Sequence, residues 1–230
     1  MGMTTAFKTA LLNHYFQNAD HANVGDAAGL QNSTVAGDMF ISMHTAFPGD
    51  AGSQTTSETT YGSYARQAVA RSAAGWATTG DNTDNVAAIT FPTATSGSET
   101  VFYIGCGSAV SGAGNLFFWG AMGTNKGPFT GLTTDIITIP NHSLAVDERI
   151  AFFVTPGAIL PTGVVEGTVY WVKTVPDGDT ITVSATQGGA TLDLTADGNG
   201  IAFKMIGLLI TAAPAITPKF NIGALDFFAD

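Results

Sequence analysis

Enzymes bring acids, bases, nucleophiles or metal ligands together, and the residues of this chain that could serve are few and scattered. Its four histidines, His14, His21, His44 and His142, lie in four different local contexts and show no H-x-x-x-H spacing. That spacing would set two imidazoles on one helix face for a metal, so a site here requires convergence from separate segments. His44 beside a Pro-Gly turn reads as locally hydrogen-bonded, and His142 in an Asn-His turn as a brace for that turn. Among the 18 carboxylates the candidates for paired acid–base work are Asp147 with Glu148, or Asp177 with Asp179. A glycosidase needs two such groups across a cleft, but these flank turn residues, where Asp and Glu cap backbone N–H groups or stay solvated. DGDT from 177 and DGNG from 197 share the acid-glycine pattern of calcium loops, yet neither continues with the ligands of an EF-hand. Cys106 is the sole cysteine, which rules out an intrachain disulfide and a multi-thiolate zinc site, and reads as a small buried apolar residue. Trp76, Trp119 and Trp171 could stack on sugar rings or fill cores and interfaces. No G-x-S-x-G, P-loop or dinucleotide fingerprint is present. The expectation is no catalytic, cofactor-binding or metal-binding residues and no cofactor.

Composition narrows the partners. In 230 residues only 11% are charged, and 18 acidic against 8 basic side chains give a net charge of -10. Nucleic acid and anionic bilayers are disfavoured, because both are bound by Lys and Arg. The N-terminal stretch MGMTTAFKTALLNHYF is too short of apolar residues for a signal or a membrane span, so the chain is expected to fold in a cytoplasm.

The elements that would carry these residues read as mostly strands. Residues 4–16 form the exception, a helix capped by Thr4 or Thr5, with Phe7, Leu11, Leu12, Tyr15 and Phe16 expected at helical spacing on one face. The face holding Phe7, Leu11 and Tyr15 is expected to be buried, against the chain's own sheet or a neighbouring subunit. Residues 17–35 have loop composition. Met39, Ile41 and Met43 alternate with Phe40, Ser42 and His44 as a strand, and the Ser/Thr-rich residues 49–60 read as an exposed, mobile loop. Further strands are expected at 65–71 and 86–91, and a hairpin at 100–106 with 115–122 around a flexible SAVSGAG.

These stretches also carry a resemblance. The order LLNHYF, MFISMHTAFPGDAG, YARQAVARSAAG, AAITFPTAT, FYIGCGSAVSGAGNLFFWGAM and a late GALDF is similar to a phage tail-fibre-like family of virion structural proteins. Its typical forms read LHTADPGDAG, SYARQAV, ITFP and GNLLFYGAL. The resemblance covers 4–126 and resumes at 207; where the family has TVTHFGIFDA this chain has TVFYIGCGSA, and the final hairpin is interrupted. The interrupting residues are a run of short strands with turns, resembling small β-modules of phage tail and adaptor proteins. Ile137, Ile139, Phe152, Val154, Tyr170, Val172, Ile181 and Val183 are expected to fill its core.

The expected fold is therefore all-β: a sandwich-like outer domain with an N-terminal helix, residues 1–127 plus 207–230, carrying an inserted small β-domain, residues 128–206. What the resemblance implies is a non-enzymatic exterior subunit of a phage particle, contacting other virion proteins and itself in a homo-oligomer, with a trimer as one arrangement. Phe7, Leu11, Tyr15 and Phe16 are the docking candidates. A receptor- or glycan-binding module is the alternative, with Tyr170 and Trp171 as surface recognition candidates, and a glycan-cleaving enzyme is the third reading. Heptads or a regular β-repeat, which a fibre shaft needs, are absent, pointing to a tip, adaptor or decoration.

Overall fold

A computed structural model describes residues 2–228. The N-terminal helix α1 (Thr5–Gln17) begins where Thr4 Oγ1 accepts the Phe7 N–H and ends at Asn18 in the left-handed region, φ 54°. Arg71 completes that end by donating to the carbonyls of His14 and Tyr15, the groups a helix C-terminus leaves open.

Among the described residues seventeen strands follow. The first eight are β1 (Asp38–His44), β2 (Gln67–Ala70), β3 (Trp76–Thr79), β4 (Asn82–Asn85), β5 (Ile89–Thr90), β6 (Ser98–Val101), β7 (Tyr103–Gly107) and β8 (Leu116–Ala121). Six more, β9 (Gly123–Gly131), β10 (Ile137–Thr138), β11 (Arg149–Phe153), β12 (Tyr170–Thr174), β13 (Thr180–Ser184) and β14 (Gly198–Met205), close into a barrel in the order β10-β13-β12-β11-β14-β9. The chain ends with β15 (Leu208–Thr211), β16 (Lys219–Phe220) and β17 (Asp226–Phe228). The all-β fold with one N-terminal helix is thus as expected.

Outside the barrel the main sheet runs β2-β1-β7-β8, and smaller sheets pair β15 with β6, β16 with β5, and β17-β4-β3. Two strands, β3 and β4, were not legible in the sequence, and the expected strand at 86–91 is paired only over Ile89–Thr90. The stretch read as one strand at 100–106 changes sheets at Phe102: β6 pairs β15, whereas β7 pairs β1 and β8. The expected hairpin is the β7–β8 pair.

Strand alternation sorts β1 onto two faces. Met39, Ile41 and Met43, with Ile104 and Cys106 of β7 opposite, face a hydrocarbon core completed by Leu12, Phe16, Trp76, Phe91, Ile210 and Phe227. Ser42 and His44 face the other way, and residues 49–60 cover them. That segment is not an exposed loop: Gln54 and Thr59 are buried, Thr59 donates its N–H to Met43 O, and Gln54 bonds to Phe40 O and Ala109 N. The SAVSGAG connection is likewise tied down, its Ala109 and Gly112 carbonyls accepting from Arg66.

The helix corrects a second expectation. Leu12 and Phe16 enter the core, while Phe7 and Tyr15 are exposed and Leu11 is half-buried. Neighbouring residues on a helix point about 100° apart, so Leu12 and Phe16 form one stripe and Phe7, Leu11 and Tyr15 another. Only the first meets the β3–β4 ribbon, where Gln17 Nε2 donates to Trp76 O.

The barrel core contains seven of the eight residues expected there; Val154, just past β11, is exposed instead. A third cluster joins barrel and main sheet, with Phe47, Tyr103 and Trp119 packing on Phe153. Gly167 has φ +65° and a Cβ there would lie 2.2 Å from the Phe47 ring, so the close approach needs glycine.

Phe16 is wholly enclosed among Trp76, Phe118 and Phe227. Phe16→Ala is expected to cost about 3–5 kcal/mol in urea unfolding, and Tyr15→Ala less than about 1 kcal/mol. Equal losses would show that the helix does not dock by the Leu12/Phe16 stripe.

Candidate functional site

Among the described residues nucleophilic chemistry has one geometric candidate. His44 Nδ1 donates to Thr56 O at 2.8 Å, which leaves Nε2 free to accept from the Ser42 hydroxyl at 2.9 Å. A serine, a histidine and an orienting acceptor in line are the parts of an activated nucleophile. Both side chains are completely buried, and Gly105 sits directly over them: a Cβ there would lie 2.5 Å from Ser42 Oγ and from His44 Nε2. No substrate carbonyl can reach the hydroxyl, so the pair is structural. The I-G-C-G stretch now has a reason, since Cys106 turns into hydrocarbon while Gly105 and Gly107 make room for His44 and Gln54.

The surrounding polar groups are satisfied. Arg66 donates Nε and Nη2 to the two oxygens of Glu58 at 2.7 Å each, and Tyr64 adds a hydroxyl to the same carboxylate at 2.8 Å. Glu99 accepts from both Thr59 and Thr60; burial alone would raise its pKa, but these donors hold it below the usual value.

The remaining sequence candidates stay apart. His14 bonds to Ala19 O, His21 is buried beside Phe7, and His142 Nδ1 accepts the Leu144 N–H at 2.8 Å, bracing its turn as expected. Asp177 accepts three bonds from Asp179 and Thr180, Asp179 accepts from Asn141 N, and Glu148 pairs with Lys204. Among the described residues no group of three His, Cys, Asp or Glu could hold a metal. Cys106 is buried and burial pushes its thiol pKa up, away from reactivity.

Tyr170, expected as a recognition residue, is a correction: it lies in the barrel core and its hydroxyl accepts the Val165 N–H. Trp171 is half-buried beneath the Arg149 guanidinium, 4.7 Å from the ring centroid, and the same cation lies 5.3 Å from the Phe102 ring. Phe16 is likewise withdrawn from any docking role by its burial. Phe7, Leu11 and Tyr15 do reach the surface, and the last two line a groove of about 350 Å³ with Met3, Phe117 and Phe228. Sequence reasoning missed Phe117, although consecutive Phe117 and Phe118 must point to opposite faces of a strand, one of them outward.

His44 carries a pH consequence. Burial, the largest influence, holds its pKa below 6.5 despite the Thr56 bond and Glu58. The unfolded chain then takes up the proton first, so the stability held above pH 6.5 is lost as pH falls through the folded value. Urea midpoints measured between about pH 7 and pH 5 are expected to drop, with a flatter profile in His44→Gln. Identical slopes in the two proteins would show that His44 does not govern this window.

No curated protein matches the chain. A family model described as "Podophage GP4 fiber I protein gp80" matches residues 2–147, which take in α1, the whole main sheet and the first two barrel strands. The match spans more than half of the 230 residues, and the chain belongs to this family of podophage fibre proteins.

Proposed function

We propose that the chain is a non-catalytic subunit on the exterior of a phage particle, at a fibre or tail tip or as a decoration, working through protein contacts made by the face of α1, β8 and β17. Membership of a phage fibre family makes it a virion structural protein that associates with other virion proteins. The observation that carries the finer reading is a contrast. The nucleophile-like pair Ser42–His44 is sealed under Gly105, whereas the open groove is lined by Met3, Leu11, Tyr15, Phe117 and Phe228, with no carboxylate, imidazole or amine among them. Imaging of intact particles with an antibody or tag on this chain is expected to label the outer surface. Label confined to the particle interior, or absent from particles, would sink the reading.

A second reading, recognition of a host receptor or glycan by the barrel, is favoured by one feature: Val154, Ile159 and Val165 stand exposed on the barrel's loops.

The barrel is further read as a domain inserted into the outer one, as expected for residues 128–206. Support comes from its separate core and from the crossing points, where Gly123 and Met205 are register partners and Ile206 donates to Met122 O at 2.7 Å. Ends that close allow a folded unit to be added without displacing its host. Joining Gly127 to Gly207 through a short Gly/Ser linker is expected to leave an outer domain that melts cooperatively, though less stably because Phe47 and Trp119 lose the cover of Phe153. A non-cooperative melt would make the whole chain one continuous core.

A further inference from the structure

We infer that the open edge of β8 is a strand-addition site, which takes an extended, cationic segment of a different virion protein as a further strand of the main sheet. The inference rests on the structural reading above and adds the chemistry of the partner. Register fixes which backbone groups are on offer. Arg71 N donates to Gly37 O and Thr59 N to Met43 O, so the odd residues of β1 bond away from β7, and Ser42 and His44 turn their backbone groups toward Gly105 and Tyr103. By the same alternation Ile104 and Cys106 face Gly120 and Phe118 of β8, a phase that Met122 N continues by donating to Phe102 O. Trp119 and Ala121 therefore turn their N–H and C=O away from β7, and among the described residues nothing bonds to them there.

Edge strands that remain in water are blunted by Lys, Pro or other charge, and β8, LFFWGA, has none of these. Two apolar grooves lie along it. One, of about 350 Å³, is lined by Phe117 and Phe118 with Leu11 and Tyr15; the other, of about 370 Å³, by Gly120 and Met122 with Phe220 and Leu225. A Cβ on Gly120 would meet nothing within 4 Å, so the second groove opens directly onto the strand. Phe118 and Met122 are four residues apart, about 13 Å along a strand, so an added strand sets apolar side chains at i and i+4 into the two grooves. Main-chain bonds then supply affinity, and the grooves select side chains.

Charge selects the partner. Of the residues lining the two grooves Asp226 is the charged one, it is exposed, and its register partner on β4 is Asp84. The two carboxyls hydrogen-bond to one another, and burial, followed by Asp84, raises the Asp226 pKa. Two carboxyls in contact repel once both are ionised, and a Lys or Arg side chain set against them removes that repulsion. Asp50, which accepts the Trp119 Nε1–H at 3.1 Å, places a third carboxylate beside the same strand. A further copy of a chain with a net charge of -10 is repelled by such a site, whereas a basic segment of another protein is drawn to it.

The test replaces Phe117 by the photoreactive benzoylphenylalanine in the full chain of intact particles and reads the cross-linked peptide by mass spectrometry. The expected product joins Phe117's position to a segment of a different virion protein that carries a Lys or Arg and apolar residues at i and i+4. A cross-link to another copy of this chain, to an acidic segment or to no protein overturns the inference while the virion role stands. Particles that lack the chain altogether would instead remove the structural reading itself. The cross-linked segment, made as a capped synthetic peptide, is then titrated into the purified full chain by calorimetry. Native protein and Val110→Glu, a change at an exposed loop residue away from β8, are expected to bind alike. Ala121→Pro, which removes an outward N–H and leaves the β7 ladder whole, and Gly120→Val, which fills the second groove, are each expected to weaken binding by about tenfold or more. Asp226→Asn is expected to lose about tenfold and most of the salt dependence. Melting curves identify the folded variants, and Asp226→Asn, at an exposed position, decides the matter if a strand variant does not fold. Native affinity in a folded Ala121→Pro, or in Asp226→Asn, overturns the inference.

Discussion

Strand β1 is buried on both faces, and the rest of the outer structure follows from how each face is closed. Methionines and isoleucine on one side need only hydrocarbon. On the other side Ser42 and His44 need partners, because an unpaired polar group in such a place costs about 1–3 kcal/mol. His44 partners Ser42 and the Thr56 carbonyl partners His44, so residues 49–60 must be held in turn. The Glu58–Arg66 pair does this, with side chains 14% and 2% exposed, and the remaining Arg66 donors fix the connection that leads into β8. The position of β8, against which Phe16 packs, is therefore traceable to one two-pronged ion pair several strands away.

This chain of dependence explains what could and could not be read from the sequence. Thr4, the periodic residues of α1, the alternation of β1 and the turn residues of the barrel act on their immediate neighbours, and all were legible. Residues 49–60 were not, because a Ser/Thr-rich stretch has the same composition whether water or protein accepts its hydrogen bonds. Gln54 is satisfied by Phe40 and Ala109, one of them 55 positions away, and no local pattern announces that. The helix shows a subtler limit: periodicity gives the stripes but not which stripe finds the sheet. Barrel strands were visible singly, while closure depends on β9 meeting β14 across most of the barrel's length of chain.

The candidate site divides in the same way. Phe7, Leu11 and Tyr15 were found by spacing, since a helix stripe is local. Met3, Phe117 and Phe228 join them only through tertiary packing of β8 and β17. Ser42 and His44, two apart on a strand, share a face by the pleat alone, yet their uselessness for catalysis is set by a glycine more than sixty residues on. Residue types gave the inventory of chemistry, and burial decided what it could do.

Arg149 has a mechanical side. Its guanidinium lies over Trp171 in the barrel and Phe102 in the outer structure, beside the paired strands in which the chain crosses to the barrel and back. Phe47, Tyr103 and Trp119 already pack the joint against Phe153. A cation held against one ring on each side of the joint adds a second brace, because bending must pull charge away from both rings. Guanidinium stays charged at any pH a cell or its surroundings reach, so the brace keeps its stiffness under acid that loosens the histidine-dependent sheet beside it.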